Sequence, residues 1–193
     1  MTNFPRKQFE GALYTFDHLE PLRMKLPLNA EGTNFIDMHV TFGCHCFTEK
    51  FDASQHRPDH RYTYKGELRA FNTLRYECSL QLPQLMQAIQ KGTIYNAEES
   101  YTYVAHITVA SIVGLQDYSI FFSLEKDKSV RMPALRMFVK SAYFKPLVAK
   151  ANAQSWRFVS LAGQISGAFP PKDKKPKPEK KKKKAPRGLI SAS

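Results

Sequence analysis

The chain has 193 residues and a formal charge of +12, with 42 % hydrophobic and 24 % charged residues. That length fits one domain, or one domain with a tail, and the balance excludes wholesale disorder. No apolar run approaches the length of about 18 residues that a membrane-spanning helix needs, and no apolar stretch follows the first basic residues, so neither a span nor a secretory signal is predicted. Three cysteines, an odd number, give no disulfide framework and fit a reducing cytoplasm.

The first 35 residues hold short apolar alternations broken by Pro5, Pro21 and Pro27, which predicts loops with one or two edge strands. Met38 to Phe47 reads as a strand. Met38, Val40, Phe42, Cys44 and Cys46 share one face, and His39, Thr41, Gly43, His45 and Phe47 share the other. A polar, aromatic-rich loop follows over 48–65. From Glu67 to Lys91, Phe71, Leu74, Cys78, Leu82, Leu85 and Ile89 recur at spacings of three and four, which predicts a helix that Pro83 kinks or restarts. Three strand-like runs come next, Tyr101–Val109, Asp117–Glu125 and Ala134–Tyr143, with connections short enough for an antiparallel meander. Ser155 to Ile165 reads as a short helix. The expected fold is therefore α+β, a principal helix packed on an antiparallel sheet of four or more strands, occupying residues 1–169.

The charge is concentrated beyond that domain. Pro170 to Arg187 carries nine Lys and one Arg against Asp173 and Glu179, and it has five prolines and no large apolar residue. Residues 170–193 therefore read as a disordered tail. The run Lys180, Lys181, Lys182, Lys183 and Lys184 suits a loose, salt-sensitive hold on a polyanion such as RNA. A solubilising extension is the plainer alternative.

Reactive side chains cluster at His39, Cys44, His45, Cys46, His56 and His60. The spacing Cys-x-Cys followed by His-x3-His raises zinc, although structural zinc prefers two to four residues between cysteines, and strand cysteines commonly act as small buried hydrophobes. On the other strand face His39, Thr41 and His45 align, with His56, His60 and Arg61 following in the loop. Histidine titrates near neutrality and can serve as general base or acid. Arg75 falls at the edge of the apolar helix stripe, where it either pairs with a sheet carboxylate such as Glu125 or points into an anion site. The last strand carries Leu135, Met137, Val139, Ser141 and Tyr143 on one face, with Lys126, Arg136, Lys140 and Lys145 adding positive charge. No P-loop, dinucleotide fingerprint, nucleophile elbow or zinc-peptidase motif is present.

The stretches His39-Val40-Thr41-Phe42-Gly43-Cys44-His45-Cys46-Phe47-Thr48-Glu49, Asp59-His60-Arg61-Tyr62, Arg75-Tyr76-Glu77-Cys78-Ser79 and Phe138-Val139-Lys140-Ser141-Ala142-Tyr143 resemble a bacterial family labelled stationary phase growth adaptation proteins, found on chromosomes and mobile elements. The order of helix, meander and Ser-Ala-Tyr strand also resembles the barnase, EndoU, colicin and RelE superfold of ribonucleases and toxins. That second resemblance implies RNA cleavage by metal-independent acid–base chemistry without a cofactor. By residue type, His45 or His60 would be base or acid. Arg61, Arg75 and Lys126 would hold phosphate, Lys140 and the tail lysines would bind RNA, and Ser141 and Tyr143 would orient the site. The alternative is a non-catalytic nucleic-acid- or protein-binding module in stress response or phage–host conflict. Either reading admits a protein partner or antitoxin.

Overall fold

The computed structural model describes residues 4–97, 103–111, 114–144 and 154–169. The lysine tail at 170–193 and Lys145 lie outside the described residues. The chain opens with a hairpin of β1 (Lys7–Phe9) and β2 (Ala12–Tyr14), turned by Glu10 and Gly11 at φ 49° and 80°. Two-residue turns with both φ values positive match the twist of the flanking strands, and glycine adopts them without a Cβ penalty. The same device, Lys65-Gly66 at φ 49° and 83°, joins β6 (Arg61–Tyr64) to β7 (Glu67–Phe71). With β5 (Thr48–Lys50), these strands form a small antiparallel sheet of order β5-β7-β6.

The main sheet contains β3 (Leu22–Pro27), β4 (Phe35–His45), β8 (Thr93–Asn96), β9 (Tyr103–Ser111), β10 (Gly114–Lys126), β11 (Ala134–Phe144) and β12 (Ser155–Arg157). Its spatial order is β12-β8-β9-β10-β11-β4-β3. The β9-β10-β11 meander is antiparallel, but β11 then pairs with β4 in parallel, so the sheet is mixed.

The expected α+β arrangement of a principal helix on an antiparallel sheet is thus overturned. Strands dominate, and the predicted helix over 67–91 is a strand followed by two short helices, α1 (Thr73–Ser79) and α2 (Leu82–Ile89). Glu67–Phe71 pairs on both sides, with β5 and with β6, so its backbone groups are satisfied by the ladder rather than by a helix. The Asn72 side chain then accepts from the Arg75 N–H at 2.9 Å and starts α1. Pro83 lies in the first turn of α2, where its missing N–H costs nothing. A third helix, α3 (Phe158–Ser166), lays Phe158 against Phe122 of the sheet at 6.0 Å between ring centroids.

Two parts of the core meet. Met38, Val40, Ile120, Phe122, Leu135, Met137 and Val139 form the buried face of the main sheet. Phe4, Phe16, Phe47, Tyr62 and Phe71 form an aromatic cluster beneath the small sheet, with Phe16 stacked on Phe47 at 4.0 Å. Phe47, expected on the polar face of its strand, is buried because β4 ends at His45 and the chain turns, with the Cys46 and Phe47 N–H groups donating to Gly43 and Cys44 carbonyls.

The β11 ladder contains a bulge. Val139 pairs with Phe42 while Ser141 pairs with His45, and on the other side Phe122 pairs with Val139 while Phe121 pairs with Ser141. The extra residue reverses the alternation, so Ala142 is buried, and Ser141 and Tyr143 leave the face that Val139 occupies. The expectation that Leu135 through Tyr143 share one face is corrected by that single residue. Gly43 lies opposite the bulge, and a Cβ there would fall 2.8 Å from the Lys140 carbonyl oxygen. Gly43→Ala should therefore destabilise the protein by about 1–3 kcal/mol. Urea denaturation is the check, and an unchanged midpoint would show that the bulge relaxes freely.

Candidate functional site

His45 is the last residue of β4, beside Ser141 across the parallel ladder. Its Nε2 lies 3.1 and 3.0 Å from the two carboxylate oxygens of Glu67, the first residue of β7. The His45 hydrogen bond, supported by the charges of His45 and Arg69, holds the Glu67 carboxyl below its ordinary range. Arg69 donates from Nη1 to Glu67 Oε1 at 3.1 Å and from Nε to the Thr48 hydroxyl at 3.3 Å. Thr48 in turn donates to the Cys44 carbonyl at 2.7 Å. The Cys44 thiol, buried beside this group, has its pKa raised by desolvation and by the Glu67 charge.

Arg75 closes the end of the main sheet where β4 turns away. It donates to the Thr48 carbonyl at 2.8 Å and the His45 carbonyl at 3.5 Å, and its guanidinium lies 4.7 Å from the Tyr143 ring centroid. Tyr143 stacks on Phe121 at 5.3 Å. His45, Arg75, Ser141 and Tyr143 are therefore brought together. The role expected for Arg75 is altered, because it holds backbone carbonyls instead of pairing with Glu125, which faces Arg136 at 3.8 Å.

The remaining predicted residues lie elsewhere. Cross-strand register puts Glu49, Ala70 and Arg61 on one face of the small sheet, and Lys50, Arg69 and Tyr62 on the other. Arg61 lies over the Phe51 ring at 5.4 Å. His60 packs on Phe9 and His56, with Nδ1 3.2 Å from Asp59 Oδ1 but misaligned for a hydrogen bond. His60 and Arg61 thus belong to a different cluster from His45. Lys126 sits at the far end of β10, opposite Leu135, six residues along β11 from Ser141 and so roughly 20 Å away at about 3.3 Å per residue. Its ammonium approaches Gly167, the left-handed residue that ends α3. Lys140 is half-buried at the bulge.

The zinc set suggested by spacing does not assemble. Cys46 is fully buried and donates to the Val139 carbonyl at 3.8 Å, with its thiol pKa driven upward by desolvation. His56 places Nε2 on Glu49 at 3.2 Å and Nδ1 against the Asp52 N–H at 3.0 Å, so both its ring nitrogens are engaged. Among the described residues, the metal-competent group is instead Cys44, His45 and Glu67, whose ligand atoms lie within 4.8 Å of one another. Sequence reasoning missed Glu67 and Arg69 by assigning them to a helix. The signal that would have found them is the Lys65-Gly66 turn between two alternating runs. A recess of about 280 Å³ between β3 and α2, lined by Leu22, Arg23, Met24, Pro83, Gln84 and Gln87, includes none of these groups.

Taken together, the fold and this cluster describe a mixed-sheet protein with a polar junction between its two sheets. A family model, the YjaZ family, matches residues 6–166, and the chain belongs to that family. No curated protein and no solved structure matches it. Among the described residues no helix is long and apolar enough to cross a membrane.

Glu49 gives this region an acid limit. Partial burial pushes its carboxyl upward, but donation from the Asn72 amide and His56, with the Arg75 charge, outweighs that and leaves the pKa lowered. A lowered folded-state value means the contribution is complete above the unfolded value of 4.5 and is lost as pH falls through the folded one. Chemical denaturation from pH 7 down to pH ~3 should show falling stability, with a shallower fall in Glu49→Gln. Parallel curves for the two proteins would remove Glu49 from the acid response.

Proposed function

We propose that the protein binds single-stranded RNA on the open face of its main sheet, with the lysine tail adding a salt-sensitive hold. The observation that carries this reading is Phe138, 42 % exposed near the middle of β11. Its ring lies over Gly43, where a Cβ would be 3.2 Å from the ring, and its neighbours across the sheet are Thr41 and Ser123. Arg23, His39 and Arg136 form the next row on the same face. Beyond them the Lys25 ammonium lies 4.2 Å from the exposed Phe35 ring. Asp37, Asp117 and Glu125 are acidic residues on the same face, and the Arg136–Glu125 pair at 3.8 Å is too exposed to neutralise the arginine firmly.

An exposed ring among cations and hydroxyls is the chemistry that unpaired bases require. The ring stacks on a base, the cations meet phosphate, and the hydroxyls satisfy sugar and base edges. A cytoplasmic setting accords with three buried cysteines that form no disulfide. Base stacking on one aromatic is worth about 1–3 kcal/mol, so Phe138→Ala should weaken binding of an unstructured RNA oligonucleotide roughly fivefold or more. Arg136→Ala should weaken binding and flatten its salt dependence. Fluorescence anisotropy at two salt concentrations reads both. Unchanged affinity in both variants, with loss only when residues 170–193 are removed, would leave the tail as the sole contact and overturn the sheet-face reading.

The His45–Glu67 contact favours a second reading, metal-independent RNA cleavage with His45 as acid or base. A carboxylate on one ring nitrogen fixes the orientation of the imidazole. Ser141 and Tyr143 lie close enough to position substrate, while Arg75 is held by carbonyls. Under this reading, cleavage in EDTA should fall by about two orders of magnitude in His45→Ala. A change below about threefold would take His45 out of the chemistry.

A further inference from the structure

We propose that Cys44, His45 and Glu67 form a binding site for a zinc-like divalent metal ion, independent of the sheet-face reading above. The donor set is one thiol, one imidazole and one carboxylate, with ligand atoms within 4.8 Å of one another. Mixed sulfur, nitrogen and oxygen donors suit Zn²⁺ and exclude the all-oxygen preference of Mg²⁺ and Ca²⁺. Metal–ligand distances of about 2.0–2.3 Å put tetrahedral donors roughly 3.3–3.7 Å apart. His45 Nε2 and Glu67 Oε2 already stand 3.0 Å apart, so completing the set requires a small closure by the thiol.

The surroundings act on the ligands in the way metal sites require. Glu67 Oε1 is held by Arg69 at 3.1 Å, which leaves Oε2 to bind through one oxygen. Arg69 is braced through Nε on the Thr48 hydroxyl, and Thr48 is anchored to the Cys44 carbonyl, so the group orienting the carboxylate is tied to the backbone of the thiol. Cys44 is 4 % exposed and lies at the base of the site. The His45 and Glu67 side chains are 38 % and 50 % exposed, so the outer side is open to water for a fourth ligand. On binding, the Cys44 thiol gives its proton to solvent and the sulfur forms the metal bond, while neutral His45 donates its ring lone pair. Affinity therefore rises with pH.

The test is titration of the reduced full-length protein with Co²⁺, followed by displacement with Zn²⁺. The expected result is one ion per chain, with a near-ultraviolet thiolate-to-cobalt charge-transfer band and the strong visible absorption of tetrahedral cobalt. Cys44→Ser should abolish the charge-transfer band, and Glu67→Gln, an exposed change that spares the core, should weaken binding about tenfold or more. Cys46→Ser should keep the band, and circular dichroism verifies that each variant is folded. Absence of the band in the wild type would overturn the site, as would its survival in Cys44→Ser, its loss in folded Cys46→Ser, or unchanged affinity in Glu67→Gln.

Discussion

Between Val139 and Ser141 β11 gains one residue against β10, while β4 gains one against β11 between Phe42 and His45, and the polar junction depends on the β11 insertion. Without it, Ser141 and Tyr143 would continue the alternation of Leu135, Met137 and Val139 and point into the core. With it, Ala142 takes the core position, and the two polar residues emerge beside His45 and Arg75. The bulge is accommodated because residue 43 has no side chain to strike the Lys140 carbonyl. A bulge at the end of a pairing region increases local twist and bends the strand. It coincides here with the point where β4 stops and the chain turns into the small sheet.

The second constraint is the fate of the backbone at that turn. β4 ends at His45, while β11 runs on to Phe144, with no parallel partner beyond Ser141 among the described residues. Carbonyls exposed by such an ending need donors, and Arg75 supplies them to His45 and Thr48 while resting on Tyr143. A guanidinium is suited to this because its planar face meets a ring while its edge carries several N–H groups. Desolvation lowers the Arg75 pKa but leaves it charged at neutral pH, so the cation contributes to the field around Glu49 even though its hydrogen bonds go to the backbone. A residue whose type suggested phosphate binding is thereby committed to holding the two sheets together.

The sequence made the local elements of this fold legible where alternation was long. The runs that became β9, β10 and β11 were visible as a meander, and the buried face of β4 was visible from Met38 to Cys44. Periodicity misled at 67–71, where Phe71 fits both a helical spacing with Leu74 and Cys78 and a strand position opposite Thr48. Two-sided pairing decided the matter, and pairing is a property of distant segments. The parallel contact of β11 with β4 was equally hidden, since nearly 100 residues separate Val139 from its partner Phe42. Within the site, neighbours in sequence were found and neighbours in space were not. His45 was singled out, but its partner Glu67 lies 22 residues on across a turn. His60 was grouped with His45 by proximity in sequence, whereas in space His60 packs on Phe9 and His56 while His45 meets Glu67.

The junction and the open sheet face place different demands on the same chain. Stacking on Phe138 requires only that the sheet remain exposed and basic, and it asks nothing of His45. Acid–base chemistry and metal binding both require the His45 ring, and they require it in incompatible ways. A general base needs its lone pair free at the moment of proton transfer, while a metal ligand has given that pair away. The Glu67 carboxylate, 3.0 Å from Nε2, serves either use, by orienting the ring or by joining it on the ion. What distinguishes the two is Cys44. A thiol kept protonated by burial adds nothing to proton transfer between a histidine and a carboxylate, but it completes a three-donor set once an ion lowers its pKa. The position of that sulfur, inside the junction and next to the histidine in the chain, is the feature that acid–base chemistry leaves unexplained and coordination explains.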